Sequence, residues 1–269
     1  MKHIKLYTLI VGLLLFASSC TKVIDLKLGN DSGKLVIEGN ITNGSGPQIV
    51  KLSTNVPFTN TNTYPAVSGA TVTVSDQSGN SYQFTEGPSG TYTNSQLTGV
   101  PGNTYTMTVL TKGVTYTAVS TMPQVVNLDS LVSKNQAVTS GSKPKKEISV
   151  YYHDPADVVN QYRFVEYVNG VQVKDVFVTN DQFNNGLATN MVLRENNDND
   201  IDIYAGDNVT VEMQCIDHPV YLYWLTLAQQ ESNGPGGSVT PSDPPTNITP
   251  VSLGYFSAHT TQTKTIVAK

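Results

Sequence analysis

The sequence predicts an all-β fold, two sandwich-like units with one short helix, and three observations carry it. Charged residues make up only 14% of the 269-residue chain, against about 25% in ordinary soluble proteins. Thr, Asn, Ser, Val, Gly and Tyr fill the gap; Thr, Val and Tyr suit a pleated, half-buried surface, and Asn, Gly and Ser suit turns. Short runs in which apolar and polar residues alternate recur at near-regular spacing with turn signals between them, which is the sandwich pattern.

The amino terminus reads as an export signal. Met1-Lys2-His3-Ile4-Lys5 is a short basic stretch, Leu6 to Phe16 is an apolar run too short to span a bilayer, and Ala17-Ser18-Ser19 places small residues before Cys20. That order is the bacterial lipoprotein pattern. Residues 1–19 are expected to leave as a signal peptide and Cys20 to carry the lipid. Two or three acyl chains would then hold the polypeptide at a membrane surface without a spanning helix. Residues 20–33 read as a lipidated tether.

Residues 34–123 read as the first β-unit. Leu35 to Thr42 is a strand, Asn43-Gly44 a turn, and Gln48 to Ser53 an alternating strand. Asn55 to Pro65 is polar and reads as a loop. Gly69 to Asp76 is the clearest strand, returned by Ser81 to Thr85 across Gln77-Ser78-Gly79-Asn80. Thr104 to Val109 pairs with the strand carrying Val114, Tyr116, Ala118 and Ser120 across Lys112-Gly113, and Met122-Pro123 closes the unit.

Residues 124–269 read as the second β-unit. Leu128 to Val132 and Glu147 to Tyr152 are strands; Tyr162 to Val168 turns at Asn169-Gly170 into Val171 to Thr179, a hairpin signal. Leu187 to Arg194 and Val209 to Cys215 follow. A helix is expected near residues 219–232, with Pro219 at a first-turn position, Asp217 or His218 as its cap, and Tyr221, Leu222, Trp224, Leu225 and Ala228 at helical spacing. It is expected to cover one end or edge of the second unit. Val251 to Ala258 and Thr263 to Val267 supply two last strands.

Charge and cysteines narrow the function classes. The formal charge is −5, and loss of Lys2 and Lys5 with the signal peptide makes it −7. This excess of acid argues against nucleic acid and anionic lipid as partners. With Cys20 lipidated, Cys215 stands alone and no disulfide framework exists. Its place in an alternating strand makes it a buried residue and not a nucleophile.

Few residues look like chemistry. Asp198, Asp200 and Asp202 alternate in an Asn/Asp-rich loop and are candidate calcium ligands. The loop lacks the central Gly and distant Glu of an EF-hand, and a solvated hairpin loop is the plainer reading. His153, His218 and His259 show no metal spacing, and no Gly-x-Ser-x-Gly elbow is present. No catalytic residues and no cofactor beyond the covalent lipid are expected. Aromatics gather in the second unit. Tyr151, Tyr221 and Tyr223 are candidate ligand-binding side chains for a glycan or peptide, since Tyr offers rigid area at low entropy cost. Tyr162, Tyr167 and Trp224 are expected to point inward.

The ordered motifs resemble a family. Cys20 followed by Val23-Ile24-Asp25-Leu26, then Leu35 to Thr42, Val67 to Val74, Gly99 to Tyr105, Asp181 to Gly186, Tyr221 to Leu227 and Leu253 to Ala258 resemble the Bacteroidetes lipoproteins known by domain of unknown function 4249 (DUF4249). The resemblance covers nearly all of the mature chain. It implies a first unit like the transthyretin or carboxypeptidase-regulatory sandwich and an outer-membrane lipoprotein, often encoded beside a TonB-dependent transporter. It carries no established catalytic residues. The expectation is therefore a non-catalytic envelope lipoprotein, accessory or ligand-binding, on such a transporter. The alternative is a stand-alone glycan-binding or structural, adhesive surface lipoprotein. The acidic surface-export signal is absent after Cys20, where Thr21-Lys22-Val23-Ile24 stands, so the leaflet is left open.

Overall fold

A computed structural model describes residues 32–57, 60, 63–136, 144–193, 201–231 and 242–269. The alternating runs become strands as expected. In the first half these are β1 (Leu35–Thr42), β2 (Gln48–Thr54), β3 (Thr71–Asp76), β4 (Ser81–Glu86), β5 (Thr91–Asn94), β6 (Thr104–Thr111) and β7 (Val114–Thr121). The second half adds β8 (Leu128–Asn135), β9 (Lys146–His153), β10 (Gln161–Val168), β11 (Val171–Gln172), β12 (Phe177–Asn180), β13 (Ala188–Leu193) and β14 (Asn208–Ile216). The helix α1 (His218–Glu231), β15 (Ile248–Thr249) and β16 (Leu253–Val267) complete the order. The fold is all-β with a single short helix.

Turn chemistry fixes the hairpin registers. Lys112 and Gly113 both take positive φ (49° and 76°), as do Asn169 and Gly170 (51° and 84°). Two consecutive positive φ values match the right-handed twist of the flanking strands. The expected Val171 to Thr179 strand is two pieces, β11 and β12, which pair with the two ends of β10.

One large sheet runs β11-β10-β14-β16-β1-β2-β5-β4-β3-β6-β7-β15, with β12 also on β10, and a small sheet runs β13-β9-β8. The large sheet folds on itself at β4, which pairs with β3 through Val72–Ser75 and with β5 through Thr85 and Glu86. The first core fills the fold with Ile37, Ile41, Leu52, Val72, Tyr92 and Met107. The second lies between the small sheet and β10, β14 and β16, built on Ile148, Val150, Tyr162, Phe164, Val211 and Met213.

β16 ties the two cores together. It is one continuous strand and not the two expected separately. Its first half pairs parallel with β1, from Val36↔Leu253 to Thr42↔His259. Its second half pairs antiparallel with β14, from Cys215↔Thr260 to Asn208↔Val267. Phe256 and Ala258 fill the first core, and Ile266 packs on the second. A cut at residue 123 separates the cores, but the closing strand of the chain belongs to both. Gly254 is required at the start of β16: its φ is +95°, and a Cβ there would lie 2.0 Å from the Ile37 carbonyl oxygen.

Side chains close the seam between β7 and β16 where no ladder runs. The Asn247 amide donates to Phe256 O at 2.7 Å and to Val119 O at 3.2 Å, and it accepts from Phe256 N–H at 3.0 Å. It thus imitates a peptide group between two strands. Ser120 Oγ accepts from Ala258 N–H at 2.8 Å and donates to Asp217 Oδ2 at 2.6 Å.

Candidate functional site

Two places gather groups that could act on something outside the chain. The first lies under α1. Asp217 caps the helix, its Oδ1 accepting from Val220 N–H at 3.2 Å, while Oδ2 holds Ser120 and Thr121 N–H of β7. Burial pushes the Asp217 carboxyl above its usual range, and these hydrogen bonds work against that rise. The helix lays Val220, Tyr221, Tyr223, Trp224 and Leu225 against Ile216, Val178 and Tyr255. In β10, Tyr162 and Phe164 enter the second core while Arg163 meets the helix, so α1 covers the opposite face of the large sheet. It lies on a face of the sheet, over β10, β16 and the edge strand β12.

Arg163 is the centre of this contact. Its guanidinium carbon sits 3.6 Å above the Trp224 ring, a cation–π contact. Its Nη1 donates to Gln214 Oε1 at 3.0 Å, and Gln214 Nε2 donates to Glu212 Oε1 at 2.7 Å. Burial lowers the Arg163 pKa, with Tyr255 and Glu212 opposing the shift. Beside it, Ser257 Oγ and His259 Nδ1 lie 2.9 Å apart. Burial, aided by the Arg163 charge, pulls His259 down to about 3. A neutral, sealed imidazole of that basicity is no general base at neutral pH.

The side chains expected to bind ligand do not converge. Tyr221 is buried, and its phenol accepts from Asn180 Nδ2 at 3.2 Å. Tyr223 packs between Trp224 and Tyr255, with ring centroids at 5.3 Å and 4.9 Å. Tyr151 lies on β9, and its neighbour Tyr152 enters the second core, so Tyr151 faces away on the far side of the small sheet. Tyr221 and Tyr223 thus help to seat the helix. Tyr162 points inward as expected, whereas Trp224, packed in the helix contact, and Tyr167 are both half-buried.

Of the candidate calcium ligands, only Asp202 is among the described residues. Its Oδ1 pairs with Lys145 Nζ at 2.5 Å and its Oδ2 accepts from the Tyr204 hydroxyl at 3.1 Å. Asp198, Asp200 and the lipidation residue Cys20 lie outside the described residues. Among the described residues, no three His, Cys, Asp or Glu side chains gather as metal ligands. Cys215 is buried, and burial pushes its thiol up, away from reactive thiolate.

The second place is a tip formed by the loops 154–160 and 181–187, which sequence reasoning did not identify. Two buried carboxylates lace it. Asp154 accepts from the hydroxyl of the fully buried Tyr162 and from Gly186 N–H at 3.3 Å. Asp181 accepts from Asn160 N–H at 2.7 Å, and the Asp181 N–H returns to Asn160 O at 3.2 Å. On this braced frame Val159 and Phe183 are 79% and 84% exposed, with Val158 and Leu187 beside them at 50% and 55%. All four side chains sit on the two loops that these hydrogen bonds tie together. Its signals in the sequence are the Val158-Val159 pair outside any expected strand and the Asp181 to Gly186 motif.

The sequence profile of a family described as domain of unknown function (DUF4249) matches residues 21–265. No curated protein matches the chain.

Proposed function

The chain belongs to the DUF4249 family, and from that premise we propose that it is a non-catalytic lipoprotein of the cell envelope. In this reading Cys20 carries the lipid, and the folded module docks as an accessory component on a TonB-dependent outer-membrane transporter. The observation that carries the docking half is the braced apolar tip. Four large apolar side chains stand in solvent on loops fixed by Asp154 and Asp181. Preorganised apolar surface of this kind favours a protein partner. The anchoring half is supported by the basic stretch, apolar run and small residues before Cys20. The family match begins at residue 21, directly after that cysteine.

The test is Cys20→Ser in the native cell. The precursor is expected to accumulate unprocessed, to leave the membrane fraction, and to lose the transporter from gentle-detergent pull-downs. Unchanged processing and fractionation would overturn the anchor, and absence of any transporter from the wild-type pull-down would overturn the partner.

A further inference from the structure

We infer that the open edge of β13 is a docking edge that takes an extended, uncharged segment of a partner polypeptide as an added strand. This rests on the docking reading above and gives it a surface.

The direction of each backbone group in β13 follows from one bond. Asp154 N–H donates to Leu187 O at 3.0 Å, and the register places Ala188 opposite His153 and Leu193 opposite Ile148. Hydrogen-bonded and non-bonded pairs alternate in an antiparallel ladder. Thr189, Met191 and Leu193 therefore turn their peptide groups to β9, and Ala188, Asn190 and Val192 turn theirs outward. All three of the latter are exposed.

Natural edge strands are guarded by charge, proline, bulges or brevity. The described edges of this fold follow that rule except one. β11 and β15 have two residues each, and β12 has only four, with α1 packed on its Val178. β8 has a register shift between Leu128 and Ser130, carries Asp129 and Lys134, and is laced to β16 through Leu128 N–H on Gln262 and to the residues after it through Lys269 N–H on Ser133. β13 reads Ala-Thr-Asn-Met-Val-Leu, with no charge, proline or register shift. It also continues directly from the tip through Leu187.

The chemistry selects the occupant. A row of alternating N–H and C=O groups is matched by another backbone. Hydrocarbon would leave that row unsatisfied, so the edge does not suit lipid. Neither 153–161 nor 180–193 contains Lys or Arg to hold headgroups. A second copy pairs less well than a foreign strand. Outward groups at 188, 190 and 192 would centre the two-fold on Asn190, setting Leu187 of one copy against Leu193 of the other. The two tips would then lie at opposite ends of the paired strands. A foreign strand running on past Leu187 would reach the loop that carries Phe183.

The test uses the full chain in its own cells, with a photo-crosslinking residue at Phe183 or at Val192. Both positions are expected to join the same uncharged segment of one partner polypeptide. Asn190→Pro removes an outward N–H and no bond to β9, and is expected to lower both adducts about ten-fold or more, whereas Asn190→Ala leaves them unchanged. Should the proline variant melt early, Ala188→Lys places a charge on the edge without touching the backbone and is expected to lower the adducts likewise. Adducts only to a second copy, only to lipid, or none would overturn the inference, as would proline and lysine variants that crosslink like the wild type. If the partner segment is not from a transporter, the partner proposed above fails and the edge stands. If a transporter co-purifies equally with wild type and Asn190→Pro, the edge fails and the transporter stands.

Discussion

At the scale of single residues, the molecule depends on polar side chains that replace backbone. Asn247 and Ser120 supply the hydrogen bonds that a missing ladder between β7 and β16 would have made. Nothing in the sequence around Asn247 announces this, because its partners are 9 and 128 positions away. His259 belongs to the same class: as a sequence feature it is a lone histidine, and only packing under α1 gives it meaning. Burial holds its folded pKa at about 3 against 6.5 for the free group. Below pH 6.5 the unfolded chain takes up a proton that the folded chain refuses. Stability is therefore expected to fall as pH drops from about 6.5 towards about 3, with a slope of up to about 1.4 kcal/mol per pH unit from this residue. Urea titrations across that range should show the slope, and His259→Gln should remove this share of it.

At the scale of elements, the strands were legible where one face is buried and the other wet, as in β3 and β6. The hairpin at Asn169-Gly170 was legible from its turn residues, and α1 from Pro219 and its helical spacing. β16 was not legible as one strand. Its middle, His259 to Gln262, is polar and reads as a break. His259 and Thr260 are nonetheless buried, since the strand passes there from one core to the next. The candidate site was less legible than the fold. Tyr221 and Tyr223 are aromatic in sequence for the same reason whether they bind ligand or seat a helix, and only the contact with Tyr255 and Ile216 decides between them. β16 also yields a prediction. Gly254→Ala places a methyl against the Ile37 carbonyl at a φ that L-residues rarely adopt. It is expected to cost about 2 kcal/mol or more, seen as a lower urea midpoint with an unchanged slope.

At the scale of the whole molecule, the two cores share β16, although the sequence suggests a boundary near residue 123. The first core holds Ile248, Phe256 and Ala258 from the end of the chain. Deleting residues 248–269 is therefore expected to unfold the first half as well as the second. Residues 32–123 alone should show weak amide protection and no cooperative melt, and adding back the missing segment as a peptide would be needed to restore one. A sharp, independent melt of that fragment would contradict this. Pairing that joins the beginning of the chain to its end is also slow to form, since loop closure precedes the contacts that reward it.

The parallel register of β1 on β16 has a mechanical consequence. A pull entering at residue 33 runs along β1, and the pairs from Val36↔Leu253 to Thr42↔His259 meet it side by side, in shear. None of them can be peeled open ahead of the rest. Tension between the amino-terminal side and a grip on the second unit is therefore borne by the strand common to both cores, and this joint is expected to yield late under force.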